Sequence, residues 1–182
     1  MTGVRVGFDV GGTKIAGAAF GPDGAPLAEV RAETPRSFAA TVDCLAALAR
    51  QLADQASAEP ARVGISMPGQ ISRSGEILVC VNLKWLVRQP LAGALADRLG
   101  VPVAIANDGN CFALSEAVDG AGRDAPVVFG VTLGTGVGAG LVIDRRIVTG
   151  ANALAAEWGH VRFPFDAERG VIANEGGRVT GE

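Results

Sequence analysis

Val6-Gly7-Phe8-Asp9-Val10-Gly11-Gly12-Thr13-Lys14-Ile15-Ala16-Gly17 and Phe129-Gly130-Val131-Thr132-Leu133-Gly134-Thr135-Gly136-Val137-Gly138-Ala139-Gly140 are one pattern written twice, 123 positions apart. Sliding one onto the other puts Gly7 on Gly130, Gly11 on Gly134 and Gly17 on Gly140. Each copy reads as an apolar strand, a turn of Gly and Thr, and a second apolar strand. Backbone N–H groups that must approach phosphate oxygens use glycine, because a Cβ would block the approach. Two such turns from a duplicated unit suggest two walls closing on a polyphosphate, which points to a nucleotide-dependent phosphotransferase. In the first copy Asp9 adds a carboxylate able to hold Mg²⁺ through water, and Thr13 and Lys14 add donors to phosphate oxygens. The competing reading is a hairpin turn that merely uses glycine.

Outward from the repeat, the chain alternates strand and helix. Residues 3–10 and 14–20 form a hairpin, and a third strand lies near 26–33 after the turn Gly21-Pro22-Asp23-Gly24. Thr34-Pro35-Arg36-Ser37 opens a helix whose Phe38, Val42, Leu45, Leu48, Leu52 and Ala56 recur at helical spacing. Residues 62–66 form a buried strand ending at Met67-Pro68-Gly69, and a second helix runs from about Leu91 to Leu99, closed by Gly100. Residues 101–106 are again a buried strand, followed by Asn107-Asp108-Gly109-Asn110 and a helix over roughly 111–117. The hairpin theme restarts at Val127. This is an α/β pattern entering its second half, with a boundary near 119–124. The repeat would call for further helices and strands after residue 150, so the sequence reads as truncated. From about Phe165 to Glu182 it offers no core stripe, and that tail is expected to be mobile.

The bulk numbers set bounds. With 48% apolar and 19% charged residues, the 182-residue chain can bury a core and is not a disordered one. Its 26 glycines are about double the usual share, in keeping with turns built around ligands. A net charge of −3 gives no basic footprint for nucleic acid. Strand-like sequence begins at once, leaving no signal peptide, and no apolar run approaches a membrane span. Cys44, Cys80 and Cys111 lack paired spacing and read as thiols of a reducing cytoplasm.

Three further segments carry chemistry. Gly134-Thr135-Gly136-Val137-Gly138-Ala139 fits a relaxed dinucleotide fingerprint, but that motif needs a helix next, and Gly140-Leu141-Val142-Ile143 is strand-like. No Walker Lys-Ser or Lys-Thr follows the glycines, so a phosphate-binding hairpin remains. Asn107-Asp108-Gly109-Asn110 follows a buried strand, where ligands collect in α/β folds, and a carboxylate there can accept a hydroxyl proton. Asp and Asn are equally good helix caps, so both readings stand. Trp85 is either ordinary core or an apolar wall for a sugar, with Asn82 as a hydroxyl partner. The lone histidine, His160, has no Cys after Cys111 to join it at a metal.

As an ordered set these motifs resemble the ROK family of bacterial sugar kinases and sugar-responsive repressors. Asp9-Val10-Gly11-Gly12-Thr13-Lys14 looks like its first phosphate motif and Asn107-Asp108-Gly109-Asn110 like its sugar and catalytic motif. Gly109 stands where the family usually has Ala, which should loosen the helix start. Residues 133–140 look like its second phosphate motif. Residues 112–117 and Glu157-Trp158-Gly159-His160 look closest to the fructokinase and N-acetylglucosamine kinase branch. The resemblance implies an α/β actin-like, hexokinase-like ATPase fold of the ribonuclease H-like kind. A complete first domain spans 1–120, and a truncated start of the second spans 121–182. It implies ATP-dependent phosphorylation of a hexose or N-acetylhexosamine at the 6-hydroxyl, with Asp108 as general base. Asn82, Asn107, Glu157 and His160 would contact the sugar. Asp9, Gly11, Gly12, Thr13, Lys14, Gly134, Thr135, Gly136 and Gly138 would bind ATP and Mg²⁺. His160 would ligate Zn²⁺ only with a downstream Cys cluster that these residues lack. The partners expected are sugar and ATP in a cytoplasmic homodimer, without nucleic acid or membrane. The fragment alone is expected to be inactive. The alternatives are a non-catalytic sugar sensor and a short inactive paralogue.

Overall fold

The computed structural model describes residues 3–134 and 136–160, the last of these by its backbone alone. The expected mobile tail lies outside the described residues. The chain divides into two compact units, Met1–Asp108 and Gly109–Glu182.

The first unit is built on a five-stranded sheet in the order β3-β2-β1-β4-β7. Its strands are β1 (Val4–Val10), β2 (Lys14–Phe20), β3 (Pro26–Glu33), β4 (Pro60–Met67) and β7 (Val103–Asn107). The first three form an antiparallel meander, and β4 and β7 add in parallel to the other edge of β1. Parallel addition needs a crossover, and α1 (Phe38–Gln55) and α2 (Leu91–Leu99) supply it. Alternation along β1 buries Val4, Val6, Phe8 and Val10. The facing stripe of α1 buries Val42, Leu45, Leu48 and Leu52. Each such side chain contributes roughly 1.5–3 kcal/mol by leaving water. Ser37 caps α1, its Oγ accepting from the amide of Ala40 at 3.3 Å. Gly100, at φ 71°, ends α2 in the left-handed conformation that glycine adopts without a Cβ penalty.

Between β4 and α2 the chain makes a small ribbon, β5 (Gln70–Ile71) with β6 (Ile77–Val79), where the sequence suggested only a turn. Ile71 and Ile77 plug it into the core, and strands of two and three residues leave no periodicity to read.

The second unit holds α3 (Asp108–Val118, beginning at the last residue of the first unit) and a sheet ordered β10-β9-β8. Its strands are β8 (Val127–Leu133), β9 (Val137–Ile143) and β10 (Arg146–Ile147). The helix starts at Asp108 rather than near 111, because β7 passes into it without the loop that Asn107-Asp108-Gly109-Asn110 suggested. Gly130 and Gly140 let it lie close. A Cβ at Gly130 would stand 2.9 Å from that of Ala113, and one at Gly140 would stand 2.8 Å from it. Gly109 is similar, since a Cβ there would come within 2.7 Å of the Ala139 carbonyl oxygen. The residue that departs from Ala thus stands where helix packs closely on sheet.

Candidate functional site

The strand order gives three parallel carboxyl ends side by side. Asp9 pairs in register with Ser66, and Ser66 with Ala106, so Asn107 and Asp108 stand one and two residues past the same line. Ligands collect at such ends because the chain must leave each strand there and open its backbone to solvent. The Ser66 hydroxyl donates to Asp9 Oδ1 at 3.4 Å. Asn107 is buried and its Nδ2 donates to the Gly69 carbonyl at 3.0 Å, fixing the end of β7 to the turn after β4. Gly69 has φ 114°, a conformation open to glycine, and a Cβ there would also strike the Val79 carbonyl oxygen.

Beside these ends lies the turn from Gly11 to Lys14. The Gly11 amide donates to the Lys14 carbonyl at 3.0 Å. Thr34, at the exit of β3, grips this turn twice: its amide donates to the Thr13 carbonyl at 3.0 Å and its hydroxyl to the Gly11 carbonyl at 2.7 Å. A cavity of about 400 Å³ opens against the turn, lined by Gly12, Thr13, Arg36, Asn82 and Trp85. Asn82 abuts the turn closely, for a Cβ on Gly12 would lie 3.0 Å from its own. Trp85 Nε1 donates to Thr41 Oγ1 at 3.2 Å, and the half-buried indole both packs against the core of the first unit and lines the cavity.

Of the residues expected at the first phosphate motif, Gly12 and Thr13 line this cavity; Asp9, Gly11 and Lys14 do not. Lys14 is exposed and pairs across the sheet with Glu33. Among the described residues no group of three or more His, Cys, Asp or Glu is placed to hold a metal ion. Asp9, backed by Ser66, fits Mg²⁺ of the kind that keeps most of its waters and rests on one carboxylate and substrate phosphates.

In the second unit the turn after β8 closes with the Gly134 amide donating to the Gly136 carbonyl at 3.0 Å. A Cβ at either glycine would meet nothing within 4 Å, so the protein's own packing does not demand glycine there. Thr135 lies outside the described residues. Gly138 lies on β9, its carbonyl accepting from Thr132 Oγ1 at 3.3 Å. Glu157 is half-buried in the segment that leads into the short 3-10 turn Trp158–His160, and the His160 side chain lies outside the described residues. Ala156, just before Glu157, is held at φ 68°.

Sequence reasoning missed Thr34, Arg36, Ser66 and Gly69. A Ser or Thr at a strand exit is a weak signal alone, and it gains meaning only once strand order sets it beside Asp9 or Gly11.

The chain is 41% identical over 162 residues to an N-acetyl-D-glucosamine kinase of Salmonella paratyphi C, covering 88% of this chain and 53% of that protein. It superposes on a ROK family glucokinase from Streptomyces griseus in complex with glucose and AMPPNP with a TM-score of 0.77 and 33% identity, covering 88% of this chain and 51% of that one. A ROK hexokinase from Thermus thermophilus gives a TM-score of 0.81 at 29% identity, covering 98% and 58%. The chain thus spans about half the length of the curated relatives it matches. The fold is the actin-like, hexokinase-like α/β ATPase fold of these neighbours. With the ROK model matching residues 5–177, the chain belongs to the ROK family.

Proposed function

We propose that the protein carrying this chain is an ATP-dependent kinase that phosphorylates a hexose or N-acetylhexosamine at its 6-hydroxyl. The observation that carries this reading is the register that sets Asp9, Ser66 and Asn107-Asp108 at neighbouring strand ends, beside the Gly11–Lys14 turn. Asp108 takes the proton of the sugar's 6-hydroxyl, and its oxygen attacks the terminal phosphorus of ATP. The new O–P bond forms as the bond to the bridging oxygen breaks, and ADP leaves with that electron pair. Mg²⁺, when bound, screens the phosphate charges. Asp9, Gly11, Gly12, Thr13 and Lys14 bind the phosphates of ATP with its Mg²⁺, and the family motif assigns Gly134, Thr135, Gly136 and Gly138 to the same ligand. Asn82 and Asn107 hydrogen-bond sugar hydroxyls, and Trp85 supplies an apolar wall. Glu157 and His160 are assigned to the sugar by the family motif. A zinc at His160 belongs to this reading only where cysteines follow downstream. A cytoplasmic homodimer is part of the same proposal.

N-acetylglucosamine is the first substrate to test, because it names the curated relatives. In the protein at its full natural length, incubation with MgATP and a panel of hexoses should yield ADP and a sugar 6-phosphate, identified by NMR. Sugar binding without turnover on any member would contradict the kinase reading and favour a sensor.

A further inference from the structure

Arg36 is the one charged residue among the five that line the cavity beside the first glycine turn. Its side chain makes no hydrogen bond or ion pair with another described residue, as is also true of Arg31, Arg62, Arg73 and Arg146, and of these five it alone lines the cavity. Its backbone, by contrast, is held on both sides. Two positions before it, Thr34 bonds the turn through both its amide and its hydroxyl. One position after it, Ser37 caps α1, and the Ser37 carbonyl accepts from Thr41 Oγ1 at 2.7 Å. That same Thr41 hydroxyl accepts from Trp85, the opposite wall of the cavity. Arg36 is exposed and shares the cavity lining with a glycine turn, a carboxamide and an indole, a set that suits a ligand anionic at one end and a polyol at the other. The planar fork matches two oxygens of a phosphoryl group, whereas a sugar hydroxyl uses only part of it.

We infer that Arg36 is a catalytic residue that grips the phosphoryl group in transit, through its non-bridging oxygens, between nucleotide and sugar. The inference rests on the kinase reading above and assigns to Arg36 a role within it. The charge on those oxygens is shared between the departing nucleotide and the attacking hydroxyl at the transition state, and a fixed cation there lowers the barrier without moving a proton. The proton still goes to Asp108, the O6–P bond forms and the phosphoanhydride bond breaks. Arg36 gains and loses no covalent bond. Lys14, outside the cavity lining, leaves this task to Arg36.

The test compares wild type, Arg36→Ala and Arg36→Lys in the protein at its full natural length. Arg36→Ala should lower kcat by about 10²-fold or more, the loss typical of one aligned transition-state donor. Calorimetry should show affinity for the unphosphorylated sugar unchanged and affinity for its 6-phosphate reduced. Arg36→Lys should recover part of kcat, since a point charge lacks the fork. An unchanged kcat would overturn the inference, and so would equal loss of sugar and sugar 6-phosphate, which would make Arg36 a reader of the sugar ring. Should wild type phosphorylate no sugar, the kinase reading fails, and a binding arm still decides on Arg36. Inorganic phosphate titrated into the protein at its full natural length should shift the NMR amide signals of Gly11, Gly12 and Thr13 in wild type and not in Arg36→Ala. Equal shifts, or none in either, would remove Arg36 from the phosphate site.

Discussion

Gly17 and Gly136 look alike in the repeated motif, and their surroundings give them opposite tasks. A Cβ on Gly17 would stand 2.5 Å from the Phe8 ring and 3.1 Å from Val30. Gly17→Val should therefore cost about 1–3 kcal/mol by overpacking, read as a lower denaturation midpoint. Gly136 has open space where its Cβ would go, so Gly136→Val should leave stability nearly unchanged while weakening binding of an ATP analogue in the protein at its full natural length. Unchanged nucleotide affinity would remove Gly136 from the phosphate site. Ala156 presents the reverse case, an L-residue at φ 68°. Ala156→Gly should stabilise by about 0.5–1 kcal/mol, the left-handed penalty less the extra entropy glycine loses on folding. Cys44 is held by burial above its ordinary pKa, so its thiolate is scarce at neutral pH. Its alkylation should run slower than that of free cysteine at neutral pH, quicken as pH rises toward that elevated value and level off above it. These distinctions were not legible in the sequence, because a glycine's task depends on what its missing Cβ would touch.

At the scale of elements, the sequence patterns carried much of the first unit. Both hairpins, the third strand and the first two helices follow from alternation, helical spacing and the stops at Ser37 and Gly100. The 123-residue repeat survives as well, since β1 maps onto β8 and β2 onto β9 end to end. What the repeat hides is a slip in pairing. Val10 faces Ile15 across the first turn, whereas Leu133 faces Val137 across the second, which is tighter by one residue. One residue of slip turns the partner side chains to the other face, and no alignment of the two copies reveals it. The start of α3 was hidden by turn-like residues, and the pairing of β1 with β4 and of β4 with β7, which assembles the site, is a long-range fact. The Thr34 latch belongs to this scale too, joining the exit of β3 to the β1–β2 turn. Thr34→Val removes the donor to the Gly11 carbonyl and should cost about 1–2 kcal/mol, with Thr34→Ser recovering most of it.

Across the molecule, the two copies meet different surroundings. Val4, Val6 and Val10 are at most 3% exposed, whereas their counterparts Val127, Phe129 and Leu133 are 54%, 50% and 77% exposed. Phe129 finds one aromatic neighbour in Trp158, with ring centroids 6.2 Å apart. β8 is also the edge of its sheet among the described residues. An apolar edge strand with unpaired backbone groups is a template for association. The 182-residue chain should therefore self-associate at micromolar concentration, and Phe129→Lys with Leu133→Lys should reduce this in sedimentation. A monodisperse wild-type monomer would contradict that expectation.

The central claim is that the strand ends of the first unit deliver a general base to a sugar hydroxyl, and Asp108→Asn tests it most directly. In the protein at its full natural length, the substitution should preserve folding and calorimetric sugar binding and lower turnover by at least about 10²-fold. Near-normal turnover by the folded variant would make Asp108 a helix-start residue alone and contradict the account.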